Sequence, residues 1–246
     1  MRTILPSAAV LLLACGSAPL APTAKGGTRI LFIGNSLTYV NDVPSMVAAI
    51  GRQVGDRDIA VAMVAFPNYA LEDHWTEGTA TRALAQQDWE FVVMQQGPSS
   101  LPENRVFLEE WTRRFAPVIR AAGGEPVLYQ VWPQVLRRGD APAVLLSYAN
   151  AAAAVRGRLA PAGAAWDSVL ASPHPLALYS SDGLHASAYG SWLAAVVIYA
   201  TVRRIDPRTL PDTLPSLVAA PPLSPARVRE ILGRTSAAMS AAAAPS

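Results

Sequence analysis

From residue 28 onward, short runs of apolar and β-branched residues alternate with longer stretches whose apolar positions recur at helical spacing. The short runs predict strands at 29–33, 59–65, 91–95, 126–131 and 164–170. The longer ones predict helices at 44–54, 79–87, 103–122, 143–159 and 188–204. Strands that alternate with helices of this length call for parallel pairing through crossover connections. The run Phe91-Val92-Val93-Met94 is apolar on both faces of the pleat, so the sheet is covered on both sides, giving a three-layer α/β/α sandwich. Local signals agree with these boundaries. Asn41-Asp42-Val43-Pro44 supplies a cap and an early proline, Ser187 an N-cap, and Arg203-Arg204 two cations for a helix C-terminus. Residues 207–225 are rich in proline and predict an irregular surface loop before a short helix near 227–234. The alanine-rich segment 236–246 reads as a frayed or disordered tail, so the domain runs over 28–235.

A length of 246 residues with 51% apolar side chains suffices for one α/β domain with a real core, and two full domains would be cramped. The net charge of +2 is spread along the chain without a basic block, which removes the electrostatic footprint of a nucleic-acid binder. The first residues read as an export signal: Arg2 is followed by an apolar run over 8–14 that is too short to cross a bilayer. Cys15, the one cysteine of the chain, comes next, which leaves no internal disulfide. Leu12-Leu13-Ala14-Cys15 resembles the lipobox of bacterial lipoproteins. That resemblance implies cleavage after residue 14, a lipid on Cys15, and a location in the cell envelope. A plain secretory signal is the alternative. Residues 15–27, rich in Pro, Ala and Gly, then read as a flexible tether.

Candidate chemistry lies at two places far apart in the chain. The first strand runs into Gly34-Asn35-Ser36-Leu37-Thr38, which presents a hydroxyl where the backbone leaves the sheet. Ser181-Asp182-Gly183-Leu184-His185 sets a carboxylate and an imidazole three residues apart before the last long helix. A serine attacks at neutral pH only when a base takes its proton, and the imidazole needs a carboxylate to fix its tautomer. With three histidines, no His-Glu-x-x-His pattern and no paired cysteines, a zinc hydrolase is not indicated, and a phosphate cradle of Gly-x-Gly-x-x-Gly or Walker type is missing.

These blocks resemble those of the SGNH (GDSL-like) hydrolases. Ile33-Gly34-Asn35-Ser36-Leu37-Thr38 is similar to the family's first block, in its Gly-Asn-Ser variant, and Asp182-Gly183-Leu184-His185 to its last, Asp-x-x-His. The resemblance implies Ser36 as nucleophile, His185 as general base and then acid, Asp182 as its orienter, a flavodoxin-like order of five parallel strands, and no metal or organic cofactor. The middle blocks depart from the family pattern. Where a glycine amide is usual, the chain reads Phe66-Pro67-Asn68-Tyr69, which puts the second oxyanion donor near Asn68 beside the amide of Ser36. Where Gly-x-Asn-Asp is usual, it reads Gln95-Gln96-Gly97-Pro98-Ser99, similar to the Gln-Gly-Glu block of certain carbohydrate O-acetyl esterases. Gln96 is the third candidate donor, with Gln95 and Ser99 behind it. His74 reads as a surface residue beside Glu72 and Asp73, His174 as part of the approach to Asp182, and Trp132 as a strand-end aromatic near the site or in the core.

The expectation is therefore hydrolysis of a short-chain carboxylic ester, an acetyl group on a glycan or a small lipid ester. The alternatives are a catalytically silent lipoprotein that binds glycan or a protein partner, and an acyltransferase sharing the same triad.

Overall fold

The computed structural model describes residues 27–243. Cys15 and the export signal lie outside them. Five parallel strands, β1 (Thr28–Gly34), β2 (Ile59–Ala65), β3 (Phe91–Met94), β4 (Glu125–Gln130) and β5 (Arg158–Pro161), form one sheet in the order β2-β1-β3-β4-β5. This is the flavodoxin-like order. Both faces are covered. Helices α2 (Val43–Gln53), α7 (Ala162–Leu170), α8 (Ala188–Arg203) and α9 (Pro225–Ala243) pack together on one side, and α3 (Leu71–Thr76), α4 (Thr79–Gln86), α5 (Pro102–Ala121) and α6 (Ala141–Ala154) on the other. A one-turn helix, α1 (Ser36–Tyr39), follows β1 directly.

The predicted caps form. Asp42 accepts from the Ser45 amide at 3.2 Å with Pro44 behind it, and Ser187 accepts from the Gly190 amide at 3.2 Å. From Gly190 to Val202 every residue of α8 is buried, so this helix is apolar all round and fills the space between α2, α7 and the sheet. Each fully buried Leu, Ile or Val there contributes roughly 1.5–3 kcal/mol, which makes α8 the anchor for the loop that precedes it.

Three elements differ from the sequence expectation. Residues 164–170 are not the fifth strand but lie in α7; the strand is the four-residue run Arg158–Pro161. The expected helix over 143–159 stops at Ala154 because Arg156 turns left-handed (φ 50°) and Gly157 comes so close to β4 that a Cβ would sit 2.7 Å from the Pro126 carbonyl. β5 pairs only with β4, and an edge strand tolerates the closing proline. At the other end, α9 runs well past 234: Val228, Ile231, Leu232 and Thr235 make a buried stripe at helical spacing that Met239 continues.

Candidate active site

Ser36 stands at the C-terminal end of β1, between β2 and β3, where the strand order reverses and α/β sheets open a crevice. The turn that carries it is tightly packed. A Cβ on Gly34 would fall on Thr38 Oγ1 and 2.6 Å from Gln95 Oε1, so the position requires glycine. Asn35 caps α1, its Oδ1 accepting the Leu37 amide at 3.1 Å, and its Nδ2 donates to the Tyr69 carbonyl at 3.0 Å. Ser36 is partly exposed between buried neighbours, and its amide, first in α1, meets no acceptor among the described residues. The hydroxyl and the N–H of this partly exposed residue are thus both without a partner among the described residues.

The second half of the site is the turn 180–187. His185 Nδ1 lies 2.5 Å from Asp182 Oδ2, and the carboxylate fixes the proton on that nitrogen. Asp182 Oδ1 accepts from the Ser180 hydroxyl at 2.7 Å and from the amides of Leu184 and His185, both at 2.9 Å. With its donors counted in that order of weight, His185 first, the carboxyl is held well below the usual aspartate range. Contacts from outside clamp the turn around His185: the Val135 amide donates to the Gly183 carbonyl at 2.9 Å, Trp132 Nε1 to the Leu184 carbonyl at 2.9 Å, and Asn41 Nδ2 to the Ala186 carbonyl at 3.0 Å. Asn41 belongs to the segment that leaves α1, and Tyr129 at the end of β4 bonds the Leu37 carbonyl at 3.2 Å. Ser36 and His185 therefore sit on segments that touch along one rim. No hydrogen bond joins their side chains, a bond that is commonly long before substrate arrives.

The loop after β2 lies against the Ser36 turn: the Phe66 amide donates to the Gly34 carbonyl at 3.3 Å. Asn68 takes a left-handed conformation (φ 63°), is exposed, and has an amide with no acceptor among the described residues. After β3 the two glutamines differ in what they have left to give. Gln95 is spent: its Oε1 accepts from the Asn35 amide at 3.0 Å and Thr38 Oγ1 at 2.8 Å, while its Nε2 donates to Asn35 Oδ1 at 2.9 Å and to the Gln96 carbonyl. Gln96 accepts the Leu71 amide at 3.3 Å and donates one N–H to Ser99 Oγ at 3.0 Å, which leaves one N–H without a partner. Ser99 passes its own proton to the Gly97 carbonyl at 3.1 Å and supports Gln96.

No protein-family model matches the chain, and no curated protein does either. Solved structures do. A protein from Slackia heliotrinireducens, given as a candidate SGNH hydrolase, is 28% identical with a TM-score of 0.61, over 71% of this chain and 98% of that one. The fold places this chain in the SGNH hydrolase superfamily. A DUF4886 family protein from Bacteroides uniformis aligns at 16% identity and TM-score 0.70, over 86% of this chain and 94% of that one. Axe2, an acetylxylan esterase from Geobacillus stearothermophilus, aligns at 17% identity and TM-score 0.54, over 72% and 95%. At these identities the last two share the SGNH fold.

Within this SGNH fold, one residue stands elsewhere than the sequence suggested. His74 is fully buried, not on the surface, and donates from Nε2 to the Gly34 carbonyl at 2.8 Å. Leu71, His74 and Trp75 recur at i, i+3 and i+4, the mark of the inward face of α3. His174 is exposed, its carbonyl held by Arg227 on α9. Trp132 combines both expected roles: it is buried, stacked on Trp166 with ring centroids 3.5 Å apart, and bonded to the residue before His185. Trp132→Phe keeps the stack but orphans the Leu184 carbonyl. The expected result is a loss of about 1–3 kcal/mol in urea denaturation and a fall in kcat of about tenfold.

Proposed function

We propose that the protein is a serine esterase that cleaves a short-chain carboxylic ester through an acyl-enzyme. The observation that carries this reading is the Asp182–His185 pair, with its carboxylate bonded by four donors, on the rim where Ser36 presents a free hydroxyl beside a free amide. Ser36 Oγ attacks the ester carbonyl as His185 Nε2 takes its proton. The oxyanion is met by the Ser36 and Asn68 amides and by the unspent N–H of Gln96. His185 then protonates the leaving alcohol, and a water activated by the same nitrogen releases the acid. Asp182 stays ionised throughout and holds the imidazolium.

The exposure of the rim supports one class of substrate. The side chains of Asp182 and His185 are 49% and 29% exposed, so the site suits a small acyl group on an alcohol too large to be enclosed, such as an acetylated sugar. The acetylxylan esterase among the structural neighbours supports the same class. The test is turnover of aryl acetates and acetylated xylo-oligosaccharides by the protein and by Ser36→Ala, with acid release measured. Equal rates for both would defeat the reading.

We also propose that Cys15 carries a lipid anchor. β1 begins at Thr28, and its seven residues carry the chain about 23 Å to the Ser36 rim at roughly 3.3 Å each, so a tether would leave from the sheet edge opposite the site. Expressed with its signal, the protein is expected in the membrane fraction and Cys15→Ala in the soluble fraction; the same partition for both would reject the anchor.

A further inference from the structure

One peptide plane precedes the Asn35-Ser36 turn, with the Gly34 carbonyl at one end and the Asn35 N–H at the other. Two buried side chains hold it. His74 Nε2 donates to the carbonyl at 2.8 Å, and Gln95 Oε1 accepts from the amide at 3.0 Å. The carbonyl already receives the Phe66 amide at 3.3 Å, so the imidazole is not required to satisfy it. Its other nitrogen, Nδ1, is buried with no partner among the described residues. An aliphatic side chain would fill the same space without an orphan nitrogen. What the imidazole supplies and an aliphatic side chain does not is direction: a second donor that sets the tilt of the plane from which Ser36 hangs.

We propose that His74 is a positioning residue for Ser36, acting with Gln95 as a two-ended clamp on the Gly34–Asn35 peptide plane and locking the Asn68 loop to the nucleophile turn. This rests on Ser36 being the nucleophile. His74 is also boxed against the loop it would lock, its ring edge-on to Tyr69 at 5.1 Å and tilted to Phe66 at 5.9 Å. The charged and titratable groups around it are few. Asp73 is occupied by the Ala70 amide at 2.8 Å, Glu77 by the Tyr69 hydroxyl at 2.6 Å, and from β1 the Gly34 carbonyl meets the ring. Burial lowers the pKa of the imidazole, with the Gly34 carbonyl and the two carboxylates opposing. At neutral pH the ring is therefore neutral with its proton on Nε2, where the carbonyl needs it. The folded state binds a proton on this ring less readily than the unfolded chain does, so the contribution of His74 to stability falls as the pH drops below the ordinary histidine value of about 6.5.

The experiment compares the protein with His74→Leu, His74→Gln, Gln95→Leu and the His74→Leu/Gln95→Leu double variant, reading kcat, KM and the rate of labelling by a fluorophosphonate. His74→Leu is expected to lose about ten- to a hundredfold in kcat and in labelling rate with KM nearly unchanged, and His74→Gln, whose Nε2 can reach the same carbonyl, to recover most of it. The double variant is expected to lose little more than the worse single one, since both residues act on one plane. His74→Leu within about twofold of the parent, His74→Gln no better than His74→Leu, or additive losses would each overturn the clamp. Should His74→Leu not fold, nitrogen-15 NMR of the parent's three histidines decides: His74 with its proton on Nε2 and titrating below the ordinary histidine value supports the clamp, and a proton on Nδ1 or ordinary titration rejects it. Ser36→Ala as active as the parent would instead remove the esterase reading itself.

Discussion

Ser36→Ala is expected to lower kcat on short aryl esters by about four to six orders of magnitude, with KM little changed and the urea midpoint shifted by no more than about 0.5 kcal/mol. The size of the effect follows from the lack of a substitute. The Ser99 hydroxyl is bonded to the Gly97 carbonyl and that of Ser180 to Asp182, so neither is free to attack. The small change in stability follows because the Ser36 side chain is partly exposed and makes no hydrogen bond with the described residues. The measurement is steady-state kinetics paired with denaturation of the same samples. A residual rate within tenfold of the parent would move the nucleophile elsewhere.

Asp182→Asn is expected to be nearly as damaging, about 10⁴-fold in kcat, for a different reason. The change leaves the volume intact but replaces an acceptor by an amide, so the imidazole can turn its proton away from Nδ1 and lose its base at Nε2. The same carboxylate links the turn to pH. Its folded pKa is depressed, first by His185, then by Ser180 and the two amides, so its contribution to stability is complete above the ordinary aspartate value of about 3.9 and lost as the pH falls through the depressed one. The gap between the urea midpoints of the parent and Asp182→Asn should accordingly stay constant from pH 8 to 5 and close below about pH 4. A gap that widens on acidification would mean that the carboxylate is strained rather than supported. Because Asp182 is largely exposed, the effect on activity should far exceed the effect on stability.

The strand-helix rhythm made the fold legible because β1 to β4 are bounded by caps or turns and, even in the four residues of β3, carry apolar runs, and a buried parallel sheet writes itself as continuous apolar runs. β5 was not legible for a physical reason. A four-residue edge strand ending in Pro161 has too few positions to show a period, and the apolar content of α7 beside it imitates one. The two terminal blocks at Ser36 and at Asp182 with His185 announced themselves because each is local in sequence: a strand-end turn, and a carboxylate three residues from its imidazole. The support of the site is not local. Gln95 reaches Asn35 across 60 positions and His74 reaches Gly34 across 40, and only the register of β1 beside β3 and the placement of α3 bring them together. The same limit explains His74. Read one residue at a time, its acidic neighbours suggest the surface, whereas its spacing from Leu71 and Trp75 places it inward.

The most direct measurement is to treat the protein with a fluorophosphonate and map the modified peptide by mass spectrometry, with His185→Ala as the companion sample. The expected result is a single adduct on Ser36, formed in proportion to the loss of esterase activity and almost absent in the variant. An adduct on another serine, or full inactivation with Ser36 unmodified, would contradict the assignment of Ser36, Asp182 and His185 as one catalytic unit.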